Sequence, residues 1–207
     1  MPASRENSVG KVRAVISPTS TSEPPVNDAQ LIIGLGNPGE QYANTPHNVG
    51  YEVVDQLAMS LGLTWNRTPQ AWTASGRSQG QPVCLVKIQM AMNLTGIGLT
   101  RLSEAMSFSP EQCILVFDDL DLPLGTVKTR LSGSAGGHRG VASILEAFQS
   151  DAFRRVKVGV APIGTTFNRF EYVLTPFDAA TRPVMDQAIK AVHTRILEMV
   201  ASRPKAF

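Results

Sequence analysis

The sequence contains little cysteine, no long apolar run and no serine-hydrolase motif. Its two cysteines, Cys84 and Cys113, have neither the spacing of metal ligands nor the number that a disulfide framework needs. No apolar run approaches the roughly 20 residues of a membrane-spanning helix. The pattern Gly-x-Ser-x-Gly is absent, which argues against a covalent serine mechanism. A reducing cytoplasm fits two such cysteines, and the lack of clustered ligands argues against zinc. We expect a cytoplasmic protein without a membrane span or a cofactor.

Composition and length favour one folded domain behind a disordered tail. The 207 residues have a mean hydropathy of −0.03 and are 43% hydrophobic, as is usual for globular proteins. Residues 1–29 are rich in Ser, Thr and Pro and lack periodic apolar residues, so we predict a disordered tail there and a folded domain over 30–207. An organelle transit peptide is an alternative, although Glu6, Glu23 and Asp28 argue against it.

Strand and helix patterns alternate from residue 30 onward. Short apolar runs predict strands at 31–34, 82–87, 113–118, 126–131 and 155–160, and amphipathic patterns predict helices at 48–61, 94–107, 138–149 and 178–201. This order is typical of the α/β class. The short segment 126–131 alternates charged and uncharged residues, which indicates a mixed rather than a purely parallel sheet.

Residues 31–50, LIIGLGNPGEQYANTPHNVG, combine a buried strand with a stiff turn and a histidine. Pro38 fixes its own φ and keeps Asn37 out of the helical region, while Gly39 permits a positive φ. Asn37 is therefore held near a strand end, where α/β sheets bind ligands. His47 comes just before the first turn of the predicted helix. We expect this segment to form one edge of an active site.

The glycines of this segment also match the G-x-G-x-x-G fingerprint of dinucleotide-binding folds. In that fingerprint the last glycine opens a helix that binds pyrophosphate. Here Gly39 is followed by irregular sequence until about Asn48. The predicted helix begins too late for that task, so a dinucleotide site is the weaker alternative.

Polar groups at the ends of three other predicted elements are expected near this segment. Asn93 precedes a helix, where an N-cap is the simpler role. Asp118 ends an apolar strand pattern, and its alternatives are a solvated turn residue and a Mg²⁺ ligand. The glycine-rich loop 133–140 precedes a helix and suits an anion or phosphate.

A histidine beside a carboxylate is the basic apparatus for activating water. The imidazole takes a proton from water, while the carboxylate orients the ring and stabilises its charged form. We predict these roles for His47 and Asp118. The amides of Asn37 and Asn93 suit the binding of a carbonyl or a ribose hydroxyl.

Positive charge is concentrated in one part of the chain. Between residues 125 and 170 seven Lys and Arg side chains outnumber two acidic ones, an excess of +5, whereas the whole chain carries +2. This excess favours a polyanion such as nucleic acid, bound through its phosphates. A solvated basic face is the alternative, and no aromatic-rich RNA-recognition motif decides between them.

Four motifs occur in the order and spacing of the bacterial-type peptidyl-tRNA hydrolase family. They are GLGNPGEQYANTPHNVG, MNLTG, FDDLDLPLG and GSAGGHRG, and the likeness covers about residues 30–207. The sequence thus resembles enzymes that hydrolyse the ester between a stalled peptide and the 3′-terminal ribose of tRNA without a required metal ion. The resemblance implies a monomer with no obligate protein partner, folded as one α/β domain with a mixed twisted sheet and helices on both faces.

The resemblance also implies a role for each matched residue. His47 would be the base that activates water, and Asp118 the carboxylate that orients it. Asn37 and Asn93 would bind the peptide and the terminal nucleotide around the ester. The other expected substrate and tRNA contacts are Tyr42 in the site wall, Met92 in the cleft, Arg130 and Lys157 at the 5′-phosphate of tRNA, and Lys128, His138 and Arg139 in the same basic and glycine-rich segments.

Three positions depart from the family pattern. Pro46 replaces the usual arginine beside the proposed base, and Ala91 replaces an aromatic residue of the cleft. Arg139 stands where many members have an asparagine that contacts substrate. A guanidinium cannot accept a hydrogen bond and favours phosphate or carboxylate. We expect the first two changes to retune affinity, and the third to lower turnover if that asparagine positions water or peptide.

The family also contains a chloroplast intron-splicing relative that keeps the fold but acts as a partner-binding RNA factor. This non-catalytic role is the main alternative, and the retention of His47, Asn37, Asn93 and Asp118 argues against it. The segment 162–170 has loop composition and is the candidate lid over the cleft.

Overall fold

Apolar, β-branched segments form the centre of a seven-stranded sheet in the computed structural model, which describes residues 28–162 and 166–202. In chain order the strands are β1 Gln30–Gly34, β2 Asn66–Arg67, β3 Ala71–Ser78, β4 Gln81–Ile88, β5 Cys113–Pro123, β6 Val127–Arg130 and β7 Arg154–Ala161. The helices of the same residues are α1 Val49–Ser60, α2 Thr95–Met106, α3 Arg139–Phe148, α4 Arg169–Tyr172 and α5 Arg182–Ala201.

The sheet has the strand order β2-β3-β4-β1-β5-β7-β6 and is mixed. Strands β4, β1, β5 and β7 run parallel in the middle, whereas β2, β3 and β6 pair antiparallel at the two edges. The predicted α/β class and the predicted mixed sheet are therefore confirmed. Strand β3 was not predicted, because Ala71–Ser78 carries small and polar residues instead of a β-branched run.

Alternate residues of the central strands face two hydrophobic cores. Ile32 packs with residues of α1 and α5 on one face, whereas Leu31 and Ile33 pack with residues of α2 and α3 on the other. Burial on both faces explains why these strands are continuous apolar runs without a polar side. Helices thus cover both faces of the sheet, as predicted.

Strand β1 and helix α1 approach so closely that neither has room for a side chain at the contact. A Cβ atom on Gly34 would lie 2.3 Å from the carbonyl oxygen of Gly50, and one on Gly36 would lie 2.7 Å from Cγ of Tyr51. Gly34 and Gly36 therefore serve helix packing, whereas Gly39 serves the turn with a φ of 117°. Helix α1 begins at Val49, too late to receive a pyrophosphate, and the dinucleotide alternative is not supported.

Two predicted boundaries differ slightly from what the described residues show. Ala29, which the sequence assigned to the tail, is 3% exposed and packs in the core, while residues 1–27 lie outside the described residues. Helix α5 begins at Arg182 rather than at 178, because the Asp178 side chain binds the N–H of Thr181 at 2.7 Å in a preceding turn. Among the described residues, no helix is long and apolar enough to cross a membrane.

Candidate active site

Two asparagines fix the loop that follows β1. The Oδ1 atom of Asn48 accepts the backbone N–H of Asn37 at 2.8 Å, and its Nδ2 donates to the carbonyl of Asn37 at 2.9 Å. In turn, Oδ1 of Asn37 accepts the backbone N–H of Met92 at 2.8 Å. Because this oxygen is occupied, Asn37 presents the donors of its Nδ2 to a ligand.

His47 reaches the carboxyl edge of the parallel strands from the short 3₁₀ turn Pro46–Asn48. Its backbone N–H donates to the carbonyl of Val173 at 3.0 Å, which holds the turn against the segment after α4. Its Nδ1 lies 2.9 Å from Oδ1 of Asp118, the last residue in the buried part of β5. The structure thus brings the predicted base and the predicted carboxylate into direct contact.

A second imidazole binds the same carboxylate oxygen. Nε2 of His138 lies 3.0 Å from Oδ1 of Asp118, and Nδ1 of His138 accepts the backbone N–H of Val141 at 3.2 Å. A ring nitrogen that accepts a hydrogen bond carries no proton, so the proton of His138 is on Nε2. His138 therefore donates to Asp118, and the ring centroids of His47 and His138 lie 4.8 Å apart.

The charge of Asp118 is stabilised by these two neighbours. The residue is 3% exposed, and burial alone raises the pKa of a carboxyl group. The electrostatic interaction and hydrogen bond with His138, together with the hydrogen bond from His47, more than offset burial and hold the pKa of Asp118 well below its usual range. Asp118 is therefore ionised at neutral pH and can stabilise a positive charge on His47.

The cluster lines a cleft of about 340 Å³ at the carboxyl edge of the sheet. Seven of the predicted residues contribute to its lining, namely Asn37, His47, Met92, Asn93, Asp118, His138 and Arg139. Asn93 is exposed, and α2 begins after it with Leu94 as the N-cap residue. The N-cap alternative for Asn93 is therefore not observed, and its amide faces the cleft.

Tyr42, which the resemblance placed in the site wall, is not among the residues that line the cleft. It is half-buried at the end of the turn Glu40–Tyr42, and its carbonyl accepts the hydroxyl of Thr45 at 2.8 Å. Through this bond Tyr42 shapes the loop that leads to His47, without touching the cleft itself.

The predicted tRNA-binding cations form a row beside the cleft. Lys128 and Arg130 lie on β6, and Lys128 pairs directly across the ladder with Lys157 of β7. Residues directly opposite each other in an antiparallel pair share one face of the sheet. The row borders the glycine-rich loop, since a Cβ atom on Gly136 would lie 3.8 Å from Nζ of Lys157.

The acidic residues after Asp118 are paired with cations. Oδ2 of Asp119 lies 2.8 Å from Nζ of Lys157, and Oδ1 of Asp121 lies 2.8 Å from Arg169. This pairing does not favour the Mg²⁺ alternative. Among the described residues, one group could hold a metal ion by its spacing, namely His47, Asp118 and His138. Their nitrogen and oxygen atoms lie within 4.8 Å of one another. However, Nδ1 of His47 and Nε2 of His138 are already hydrogen-bonded to Oδ1 of Asp118.

The sequence did not single out Asn48 or Phe170 for the site. Asn48 directly follows the proposed base, but its pairing with the backbone of Asn37 depends on a turn geometry that sequence does not specify. Phe170 falls in the candidate lid, of which residues 163–165 lie outside the described residues. Its ring lines the cleft, with its centroid 5.0 Å from the guanidinium carbon of Arg139.

A histidine held against a buried, ionised carboxylate in a cleft is an arrangement that hydrolytic enzymes use to activate water. The comparison with protein families agrees, since the family model described as Peptidyl-tRNA hydrolase matches residues 31–206. The chain belongs to the peptidyl-tRNA hydrolase family, whose members are ester hydrolases.

Relatives of this family resemble the chain over most of its length. The Peptidyl-tRNA hydrolase of Koribacter versatilis is 42% identical over 162 residues, which cover 77% of this chain and 81% of that protein. The Peptidyl-tRNA hydrolase of Aquifex aeolicus is 38% identical over 181 residues, which cover 86% and 93%. The crystal structure of peptidyl-tRNA hydrolase from Acinetobacter baumannii has a TM-score of 0.77 and 29% identity, over 84% of this chain and 89% of that chain.

Proposed function

We propose that this chain hydrolyses the ester bond of peptidyl-tRNA, with His47 as the general base towards water. The observation that carries the mechanism is the contact of 2.9 Å between Nδ1 of His47 and Asp118 inside the cleft. Among the described residues, the side chain of His47 makes its hydrogen bond to Asp118 through Nδ1, so Nε2 is left to bind water. Family membership supports peptidyl-tRNA as the substrate.

In the proposed reaction, water bound to Nε2 of His47 attacks the ester carbonyl carbon. One proton of the water passes to Nε2 while the new C–O bond forms, and the carbonyl oxygen becomes an oxyanion. Collapse of this intermediate breaks the bond to the ribose oxygen, which takes the proton back from His47. Asp118 stays ionised throughout and stabilises the imidazolium. General base catalysis of this kind contributes roughly 10² to 10⁴ in rate.

The two cleft asparagines supply neutral donors to the reacting group. Nδ2 of Asn37 is available because its Oδ1 binds the N–H of Met92 at 2.8 Å. The amide of Asn93 is exposed on the same lining. Amide N–H groups of this kind stabilise a developing oxyanion without an added charge. We assign both amides to the peptide carbonyl and the terminal ribose.

The basic row of Lys128, Arg130 and Lys157 is proposed to bind the phosphates of the tRNA acceptor end. Its position beside the glycine-rich loop allows a duplex to lie on the row while its 3′ end enters the cleft. The same proposal includes a cytoplasmic monomer that acts without an obligate protein partner. Light scattering during size-exclusion chromatography tests the monomer.

The decisive experiment measures hydrolysis of an N-blocked aminoacyl-tRNA with a chelator present. The wild-type protein should release free tRNA, and His47→Ala should lose activity by roughly 10² or more. His193→Ala is the matched control, because His193 lies on α5 and bonds Ser60 at 2.8 Å, outside the lining of the cleft. A folded wild-type protein that releases no tRNA would refute the proposal and favour the non-catalytic RNA-binding alternative.

A further inference from the structure

Phe170 presents an exposed aromatic ring inside the catalytic cleft. Its side chain lines the cleft and yet is 56% exposed. Phe117, the other phenyl ring in the lining of the described structure, is only 2% exposed. Phe170 is therefore the phenyl ring that a ligand entering this cleft can reach.

The short helix α4, which carries this ring, is held in place by several contacts. Oδ1 of Asn168 accepts the backbone N–H of Phe170 at 3.1 Å, at the start of α4. The hydroxyl of Tyr172 donates to the carbonyl of Val160 in β7 at 2.8 Å. The next residue after α4 accepts the backbone N–H of His47 at 3.0 Å. Helix α4 is thus tied both to the sheet and to the loop of the proposed base, which fixes the backbone that presents the ring to the cleft.

Arg139 adds a planar cation to this ring. Its guanidinium carbon lies 5.0 Å from the centroid of Phe170, across the mouth of the cleft. Both side chains are exposed, so a flat ligand can stack on the pair while the N–H edge of Arg139 binds an anion. The basic row lies on the same side, next to the loop that precedes Arg139.

We propose that Phe170 and Arg139 form a stacking platform for the 3′-terminal nucleotide of tRNA. Single-stranded nucleotides are recognised by stacking on aromatic rings and guanidinium planes, with phosphates bound by cations. The inference rests on the proposed function, in which the reacting ester is attached to the terminal ribose. The base on that ribose must then lie within one nucleotide of the ester, and Phe170 lines the same cleft as His47 with an exposed phenyl ring.

The test compares N-blocked aminoacyl-tRNA with the same substrate that lacks only the base of its terminal nucleotide. Wild-type protein should prefer the intact substrate by about tenfold in kcat/KM, as expected for one base stacked on an aromatic ring. Phe170→Leu should lose this preference, mainly through a higher KM, and Phe170→Trp should keep it. Arg139→Lys should lose part of this preference, because lysine keeps the positive charge but lacks the planar guanidinium group. Met59→Ala is the control for loss of an exposed apolar side chain, since Met59 lies on α1 and is 82% exposed.

Two results would overturn the platform. One is a Phe170→Leu variant that still prefers the intact substrate by about tenfold. The other is a loss of kcat/KM in Phe170→Leu that depends on the side chain of the blocked amino acid and is the same with and without the terminal base. That result would make Phe170 a contact of the peptide.

Binding of an unacylated RNA hairpin that ends in CCA separates this inference from the proposed function. Suppose that the wild-type protein binds the hairpin but does not hydrolyse N-blocked aminoacyl-tRNA. If Phe170→Leu then weakens hairpin binding about tenfold, the platform stands although the hydrolase proposal fails. If hydrolysis proceeds but hairpin binding is equal in both proteins, the platform alone fails.

Discussion

The backbone N–H of Val141 donates to Nδ1 of His138 over 3.2 Å, and this bond determines where the protons of the cluster of His47, Asp118 and His138 lie. It leaves the proton of His138 on Nε2, which donates to Oδ1 of Asp118. The same oxygen accepts from Nδ1 of His47, so the lone pair of His47 is on Nε2. The first turn of α3 is therefore linked to the proposed base His47 through His138 and the shared carboxylate.

We expect His138→Ala to lower kcat by roughly tenfold or more with a smaller change in KM. The variant removes one of two donors to a buried carboxylate, and a hydrogen bond to a charged group is worth about 1.5–3 kcal/mol. Asp118 then holds the imidazole of His47 less firmly. Steady-state kinetics on N-blocked aminoacyl-tRNA measure the effect, with His193→Ala as control. An unchanged kcat, or an effect seen only as a higher KM, would contradict the role of His138 in positioning the His47 imidazole.

The stability of the protein towards acid should depend on Asp118. Its pKa in the folded state lies well below the value of about 3.9 expected in the unfolded chain. The unfolded chain therefore binds the proton first, and the contribution of Asp118 to stability is complete above about pH 5 and is lost as the pH falls through and below 4. At neutral pH Asp118→Asn should be less stable than wild type, because the variant loses the ionic acceptor of two imidazoles.

Urea unfolding at a series of pH values from about 7 to 3 measures this difference. The free energy of unfolding of the wild type should fall more steeply below about pH 5 than that of Asp118→Asn, so that the two curves converge in acid. Glu104→Gln is a useful comparison, because Glu104 is an exposed carboxylate on α2, away from the cleft lining. Parallel curves for wild type and Asp118→Asn would show that the carboxylate is not stabilised by folding.

The pairing of His47 with Asp118 could be predicted from sequence better than the contacts that hold the two residues in place. His47 and Asp118 stand at the ends of recognisable elements, and the four motifs point to both, although they lie 71 positions apart. Strand β3 and the positions of Asn48 and Phe170 could not be predicted. Asn48 acts through a hydrogen-bonded turn, and the ring of Phe170 reaches the cleft only because α4 is tied to β7 and to the loop of His47. Such contacts depend on tertiary geometry that no local pattern records.

We expect Asn48→Ala to reduce kcat/KM by about tenfold and the free energy of unfolding by about 1–3 kcal/mol. Asn48 is 6% exposed and holds both backbone groups of Asn37, at 2.8 and 2.9 Å. Without these bonds, the Nδ2 donors of Asn37 are no longer fixed in the cleft. Asn48→Asp keeps the acceptor but replaces the donor, so it should recover only part of the loss.

Asn66→Ala is the matched control for Asn48→Ala, because Asn66 is exposed on the edge strand β2. Thermal unfolding and kinetics are measured on all three variants. If Asn48→Ala loses stability but keeps full activity, the pairing with Asn37 supports the fold alone, and the placement of the Asn37 amide does not depend on it.

The cations of the basic row should differ in how they affect binding of tRNA. Arg130 is exposed and its guanidinium donates to the adjacent carbonyl of Thr129 at 3.0 Å, whereas Lys157 pairs with Asp119 at 2.8 Å. Arg130→Ala should lower the slope of log Kd against log salt concentration by about 1, as expected for one lost phosphate contact. Lys157→Ala should weaken binding more, because it also leaves the carboxylate of Asp119 unpaired beside the phosphates.

Adding Asp119→Asn to Lys157→Ala tests that explanation, since it removes the unpaired charge. The double variant should recover affinity to about the level of Arg130→Ala, and its salt slope should remain reduced by about 1. Arg77→Ala serves as the control, because Arg77 is exposed on β3, and β3 lies towards the other edge of the sheet from β6. If the double variant binds tRNA as weakly as Lys157→Ala, repulsion by Asp119 is not the cause. If both variants keep the wild-type salt slope, Lys157 makes no phosphate contact and serves only to neutralise Asp119.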